Sequence, residues 1–259
     1  MVAQFRLIHG GNVLNKDTIA AAIVWAVITA VGEVLILLWN IFPVAASREA
    51  EIIDEAFLVL TILAIPIMAL VVVAMGYSVL KFRRVDGSFE DAEYVTTHKT
   101  WVHSWLVWTS LLCIAVIIFP GWIGILDLRE TQEHTADVTV DVTGQQWFWS
   151  YEYPDLDVSI SQELVLPVDS LIRFNITSPP EDVLHSFWIP AFRMKIDAVP
   201  GLMTYMDVTT TETGTFNGDQ NFRVQCAELC GLNHGIMFTR VRVVEQDEFD
   251  AWVAEHSAS

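Results

Sequence analysis

The chain has 259 residues, enough for one or two domains, and 53% of them are hydrophobic, which excludes a wholly soluble globular protein. Its 14 basic and 32 acidic side chains leave a formal charge of −18, so nucleic acid is excluded as a partner and basic partners are favoured. No Cys-x-x-Cys-His, phosphate loop or nucleophile elbow occurs, so no covalent c-type haem and none of those chemistries is carried here.

Three windows reach the roughly 20 apolar residues that a membrane-spanning helix needs. They are Ile19 to Phe42, interrupted by Glu33 alone, then Ala56 to Leu80 and Ser104 to Leu126. Pro66 and Pro120 fall inside the last two, where neighbouring helices can satisfy the carbonyls that proline frees. Lys81, Arg83 and Arg84 follow the second window and assign the loop up to Lys99 to the cytoplasmic side. The opposite loop, Pro43 to Glu55, is acidic and therefore external. The first window also reads as a secretory signal, because Val44-Ala45-Ala46 precedes Ser47 like a cleavage site. Residues 1–126 are thus expected to form a transmembrane anchor, with windows near 19–42, 56–80 and 104–126. Glu33 and His9 are candidate contacts to partner helices, and Cys113 is expected to pack in the third helix.

From 127 to 259 the character changes. This part carries 22 acidic and 7 basic side chains, so −15 of the chain's −18 sits there. The same acidity would also serve solubility or high salt. Strands are expected over Asp137 to Val142, Gln146 to Tyr151, Ser159 to Leu166, Ser170 to Thr177, Thr204 to Thr210, Asn221 to Gln225 and Met237 to Val244. Turn residues punctuate them, and their spacing predicts an antiparallel sandwich. Gln246 to His256 has helical spacing at Phe249, Trp252 and Val253.

Within this domain CAELCGLNHGIM gathers Cys226, Cys230, His234 and Met237 into twelve positions. A disulfide is the ordinary expectation for two nearby extracytoplasmic cysteines, and zinc suits two thiolates with two imidazoles. A thiolate, an imidazole and a thioether leading straight into a strand are instead the loop pattern of a blue-copper domain, and His185 supplies the second imidazole from upstream. One copper needs a single thiolate, so the second points to two coppers bridged by both sulfurs. Such a saturated centre relays electrons and leaves substrate chemistry to a partner.

The blocks GQQWFWSYEYPD (Gly144 to Asp155), EDVLHSFWIPAFRMKIDAVPG (Glu181 to Gly201) and CAELCGLNHGIM resemble those of subunit II of cytochrome c oxidase, the haem-copper oxidase of aerobic respiration. The resemblance covers roughly Pro43 to Val253. It implies N-terminal transmembrane α-helices followed by an all-β cupredoxin-like sandwich. It further implies a binuclear CuA centre on His185, Cys226, Cys230, His234, Met237 and the backbone carbonyl of Glu228, with the Glu228 side chain on a magnesium or manganese ion shared with subunit I. Trp147 matches the residue through which electrons enter from cytochrome c, and Glu152, Asp155, Glu181 and Asp182 match the acids of the donor-docking face. Lys195 and Asp197 match a pair at the subunit I junction. The electron-entrance role of Trp147 has its own physical reading, since a tryptophan on an acidic face is a docking hot spot.

The expected partners are subunit I, which holds the haem, other oxidase subunits, the membrane, and cytochrome c or another small carrier. The expected place is a prokaryotic cytoplasmic membrane, multi-pass, with the CuA domain on the periplasmic or extracellular side. Oxygen reduction and proton pumping would occur in the assembled enzyme. A membrane-tethered copper carrier or chaperone acting alone is the competing reading. A quinol-oxidase subunit should lack the copper ligands, and a nitrous oxide reductase would need a further catalytic domain. Three features depart from the family pattern: the extra N-terminal window, the long GTFNGDQNFRVQC approach to Cys226, and HKTWVHSWLVWT, which lacks the family's carboxylate and offers His103 as the candidate proton-entrance residue.

Overall fold

The computed structural model describes residues 16–39, 41–81, 99–130, 135–160 and 162–257. His9, Arg83 and Arg84 lie outside the described residues. Two compact units emerge, one from residues 16–41 with 58–113 and the other from 42–57 with 114–257.

The first unit is helical. Helices α1 (Lys16–Leu38) and α2 (Arg48–Lys81) are long and apolar enough to cross a membrane, as is the run Lys99–Arg129 that begins with α3 (Lys99–Val116). Between their charged ends their side chains are almost all apolar, with Trp101, Trp105 and Trp108 exposed, as a lipid-facing surface requires. Asp17 accepts a hydrogen bond from Tyr77 (2.7 Å) and pairs with Lys81 (3.2 Å), so the start of α1 meets the end of α2. Helix α2 runs unbroken through Pro66, whose carbonyl accepts from the Trp25 indole at 2.8 Å. Cys113, expected to pack, is exposed on α3. The third run breaks at Phe119, where the backbone turns extended (φ −139°, ψ 125°) because proline at position 120 pushes the preceding residue out of the helical region. Helix α4 (Ile123–Glu130) follows.

The second unit is a two-sheet sandwich. Its strands are β1 (Val138–Gln145), β2 (Phe148–Tyr153), β3 (Val158–Ile160), β4 (Glu163–Pro167), β5 (Leu171–Thr177), β6 (His185–Ile189), β7 (Met194–Ala198), β8 (Thr204–Thr209), β9 (Gly214–Thr215), β10 (Arg223–Cys226) and β11 (Phe238–Val244), and helix α5 (Gln246–His256) closes the chain. One sheet has the order β3-β2-β1-β5-β8 and the other β4-β11-β10-β6-β7, with β9 on β11.

The sheets are mixed, which corrects the antiparallel expectation: β1 pairs parallel with β5, and β4 parallel with β11. The expected strand Ser159 to Leu166 is two strands that enter different sheets, and this crossing creates the parallel pairs. Strand β6 escaped the sequence reading because His185, Ser186 and Phe187 are all buried, so no alternation marks it. Between the sheets Trp149, Phe174 and Phe187 interlock, with Trp149–Phe187 centroids 5.5 Å apart and Phe174–Phe187 5.2 Å. Helix α5 lays Phe249 and Trp252 over Tyr153, whose hydroxyl donates to the Val165 carbonyl at 2.7 Å.

The segment 42–57 belongs with the strands. Of the expected loop Pro43 to Glu55, the part from Arg48 onward is already helical, and Ser47 caps α2 by accepting from the Ala50 N–H at 3.1 Å. Ala46 and Ser47 are fully buried. Ala46 donates to the Ala191 carbonyl (2.9 Å) and accepts from Thr211 (3.1 Å), and the Glu49 carboxylate accepts from the Thr209 N–H (3.0 Å).

Candidate metal centre

The cluster is assembled by two strands and one loop. His185 opens β6, Cys226 ends β10, and the two strands pair with Cys226 opposite Phe187. The loop 227–237 then returns into β11. Its neck is tied where the Cys226 N–H donates to the Met237 carbonyl (3.0 Å), and the Ala227 N–H donates to Ser186 (3.0 Å). Gly231 turns with φ +119°, a region that side-chain-bearing residues rarely enter, and a short 3-10 turn, His234–Ile236, delivers Met237.

This path brings all the predicted ligands together. The Cys226 and Cys230 sulfurs are 3.8 Å apart and unbonded. Each sulfur has its own imidazole: His185 Nδ1 lies 3.8 Å from Cys226 Sγ, and His234 Nδ1 lies 3.6 Å from Cys230 Sγ. Met237 Sδ is 3.7 Å from Cys230 Sγ, and the Glu228 carbonyl is 3.2 Å from Cys226 Sγ. His185, Cys226 and Cys230 by themselves satisfy the spacing of a metal site. His185, Cys226, Cys230 and Met237 are buried and His234 is half-buried.

Burial first, then the neighbouring Cys226, pushes the Cys230 thiol up to about 12. Burial lowers His185 below the ordinary histidine value and keeps it neutral, the form that can donate a lone pair to a metal. Two sulfurs, two imidazole nitrogens, a thioether and a carbonyl form a donor set soft enough for copper, and a thioether is foreign to structural zinc sites. The residues fit a copper centre.

Around the ligands the other predicted residues divide. Trp147 is half-buried just ahead of β2, and its indole N–H donates to the Cys230 carbonyl at 3.3 Å. The inner face of β2 is Trp149, Tyr151 and Tyr153, while Phe148 and Glu152 point outward. Trp149 meets His185 edge-on at 6.1 Å. Glu152, Asp155 and Glu181 are exposed, as is the Glu228 side chain. Lys195 and Asp197 are exposed on β7, opposite Trp188 and Ser186 of β6. His103 is on α3, with Nδ1 2.7 Å from the Lys99 carbonyl.

Asp182 differs from the other acids. Its carboxylate accepts from the backbone N–H groups of Val183 (2.7 Å) and Gln146 (3.0 Å), and stands 3.4 Å from His185 Nε2 without the alignment of a good hydrogen bond. Burial would raise its pKa, but those two N–H groups and His185 outweigh it and hold the carboxyl below the ordinary aspartate range. The Gln146 side chain in turn donates to the Cys230 carbonyl at 2.7 Å. Neither tie was legible beforehand; the one available signal was the spacing Asp-x-x-His, which also occurs by chance.

The sequence model described as "Cytochrome C oxidase subunit II, periplasmic domain" matches residues 156–244. The chain is 34% identical over 206 residues to "Cytochrome c oxidase subunit 2" of Alkalihalophilus pseudofirmus, covering 78% of this chain and 58% of that protein. It is 33% identical to the Candida albicans protein of the same description (60% and 66% covered) and 39% identical to that of Thermostichus vulcanus (58% and 42%). In each case the chain spans less than two thirds of the relative's length. Among solved structures it is similar to the periplasmic domain of subunit II of cytochrome oxidase of Bradyrhizobium japonicum, at 37% identity over 48% of this chain and 95% of that one, with a TM-score of 0.43. Three helices of membrane-crossing length thus accompany a domain of periplasmic type. Family match and relatives agree that residues 156–244 are a domain of the cytochrome c oxidase subunit II periplasmic type, and His185, Cys226, Cys230, His234 and Met237 all fall within that match.

Proposed function

We propose that this chain is the electron-accepting subunit of a cytochrome c oxidase, taking single electrons from a small external carrier and passing them to haem in subunit I, where oxygen is reduced to water and protons are pumped. The observation that carries this is the pairing of each cysteine sulfur with its own histidine, 3.8 and 3.6 Å away, around a shared sulfur pair. A single zinc would need four donors converging on one point, whereas two sulfurs between two imidazoles suit two metals with the sulfurs in common.

His185, Cys226, Cys230, His234, Met237 and the Glu228 carbonyl would hold two coppers, which supply reversible one-electron chemistry when bound. The protein's part is to fix these donors in advance. Two strands and a tied loop set their positions, and the buried sulfurs keep water out, so little has to move when charge changes. The indole of Trp147, bonded to the Cys230 carbonyl, gives a short covalent and hydrogen-bonded route from the half-exposed surface to a ligand. Glu152, Asp155 and Glu181 would steer a basic donor toward that surface. The Glu228 side chain would hold magnesium or manganese beside subunit I, Lys195 and Asp197 would lie at that junction, and His103 would sit near a proton entrance. The membrane is then a prokaryotic cytoplasmic one.

The test is metal content and electron paramagnetic resonance on the full chain in detergent, loaded with copper, beside Cys226→Ser. Two coppers per chain sharing one unpaired electron, lost in the variant, is the expected result. One copper, zinc, or a metal-free disulfide would reject the relay. The lone-carrier reading predicts that no haem-bearing subunit copurifies with the chain from its native membrane.

A further inference from the structure

The acids expected to form the docking face are not equivalent. Glu152, Asp155 and Glu181 are exposed, but the Asp182 side chain retains only 13% of its exposure, and both of its oxygens are engaged. One oxygen, held by the Val183 N–H, faces the nitrogen of His185 that points away from the sulfurs. The other holds the backbone N–H of Gln146, whose side chain reaches the carbonyl of Cys230. The next residue, Trp147, bonds that same carbonyl. A single carboxylate therefore joins the back of one imidazole to the peptide that carries the indole and to the loop that carries the second thiolate.

We infer that Asp182 is a positioning residue for the metal centre: it holds His185 with Nδ1 toward Cys226 and locks the Gln146–Trp147 segment onto the Cys230 loop. This rests on the copper reading above. An imidazole can present either nitrogen, and its choice is set by what the other nitrogen meets. With Nε2 facing a carboxylate, the proton belongs on Nε2 and the lone pair on Nδ1, the atom 3.8 Å from Cys226 Sγ. The ring is wedged edge-on against Trp149, so the carboxylate and the indole together leave it one orientation. The negative charge so close to a ligand also favours the more oxidised, more positive state of whatever metal is held.

The experiment uses the full chain in detergent, loaded with copper, with Asp182→Ala and Asp182→Asn. Three quantities are read: copper retention against a competing chelator, the midpoint potential, and affinity for a basic cytochrome c. Retention should fall in Asp182→Ala by about 10–100-fold, the usual cost of losing a carboxylate behind a ligating histidine. Asp182→Asn should be intermediate, because its amide oxygen still faces His185 while the Gln146 N–H loses its acceptor. The potential should rise in both variants, since both lose the charge. Unchanged retention and potential with weakened cytochrome c binding would overturn the inference and leave Asp182 a docking acid. Equal retention in Asn and Ala would also overturn it, because the acceptor would then be irrelevant. If the unsubstituted chain takes up no copper pair, the failure belongs to the copper reading instead.

Discussion

Arg193 grips Asp54 with both arms of its guanidinium, Nε to Oδ1 at 2.9 Å and Nη2 to Oδ2 at 2.8 Å. The remaining N–H groups reach the carbonyls of Pro43, Val44 and Pro190, so one side chain ties the start of α2 to the β6–β7 turn. Arg193 itself has φ +59°, unusual for a residue with a Cβ, and these contacts hold it there. The two side chains keep 12% and 15% of their exposure. Removing one partner of such a pair should cost about 3 kcal/mol, the low end for buried pairs because neither is fully enclosed. Arg193→Ala should therefore speed proteolysis and amide exchange in residues 42–54. The double change Arg193→Met with Asp54→Leu should recover part of the loss, and full additivity of the two single effects would show that the pair is not coupled.

Gly231 holds a backbone conformation that glycine adopts freely and other residues do not. A Cβ there would lie 3.1 Å from the Gln146 amide nitrogen and 3.5 Å from the Trp147 ring, and φ +119° is itself unfavourable for alanine. Gly231→Ala should displace the indole from the Cys230 carbonyl. The expected outcome is slower electron uptake from a basic cytochrome c, together with a changed copper spectrum. An unchanged uptake rate would mean that the Trp147–Cys230 contact is not on the route.

How much of this was legible beforehand varied with the kind of interaction. The ligands were readable because metal chemistry demands particular atoms, and five of them carry distinctive side chains at telling spacings. Strands with one wet face, such as β1 and β5, were readable from alternation. Strand β6 was hidden because it is buried on both sides, and the parallel pairs were hidden because they join strands distant in sequence. The clasp between Arg193 and Asp54 spans 139 positions and follows no local rule. Asp182 was visible as a charge, but its partners depend on how the Gln146 segment is brought to β6.

Helix α5 offers a control for any variant of the metal centre. Trp252 is buried against Tyr153 (centroids 5.4 Å apart) and Phe249, toward the other end of β2 from Trp149, which meets His185, since Tyr153 and Trp149 lie four positions apart on the same face. Trp252→Ala should cost about 3–5 kcal/mol in unfolding of the sandwich. Copper spectra at temperatures where the variant stays folded should match the parent. A shifted spectrum would mean that the core transmits strain from α5 to the ligands.

The metal-free thiols give a pH dependence that can be followed without any partner. Only the thiolate reacts with an alkylating agent, and burial together with Cys226 pushes the Cys230 thiol up to about 12. Below that value each pH unit multiplies the thiolate roughly tenfold, whereas an ordinary cysteine, with pKa near 8.5, levels off as pH passes 9. Modification of Cys230 by iodoacetamide, located by peptide mapping, should therefore be slow at neutral pH and still climb steeply between pH 8 and 10. Copper loading should abolish it, because the sulfur is then held by metal. A rate that flattens near pH 9 would show a thiol less enclosed than the 3.8 Å sulfur pair and its neighbours require.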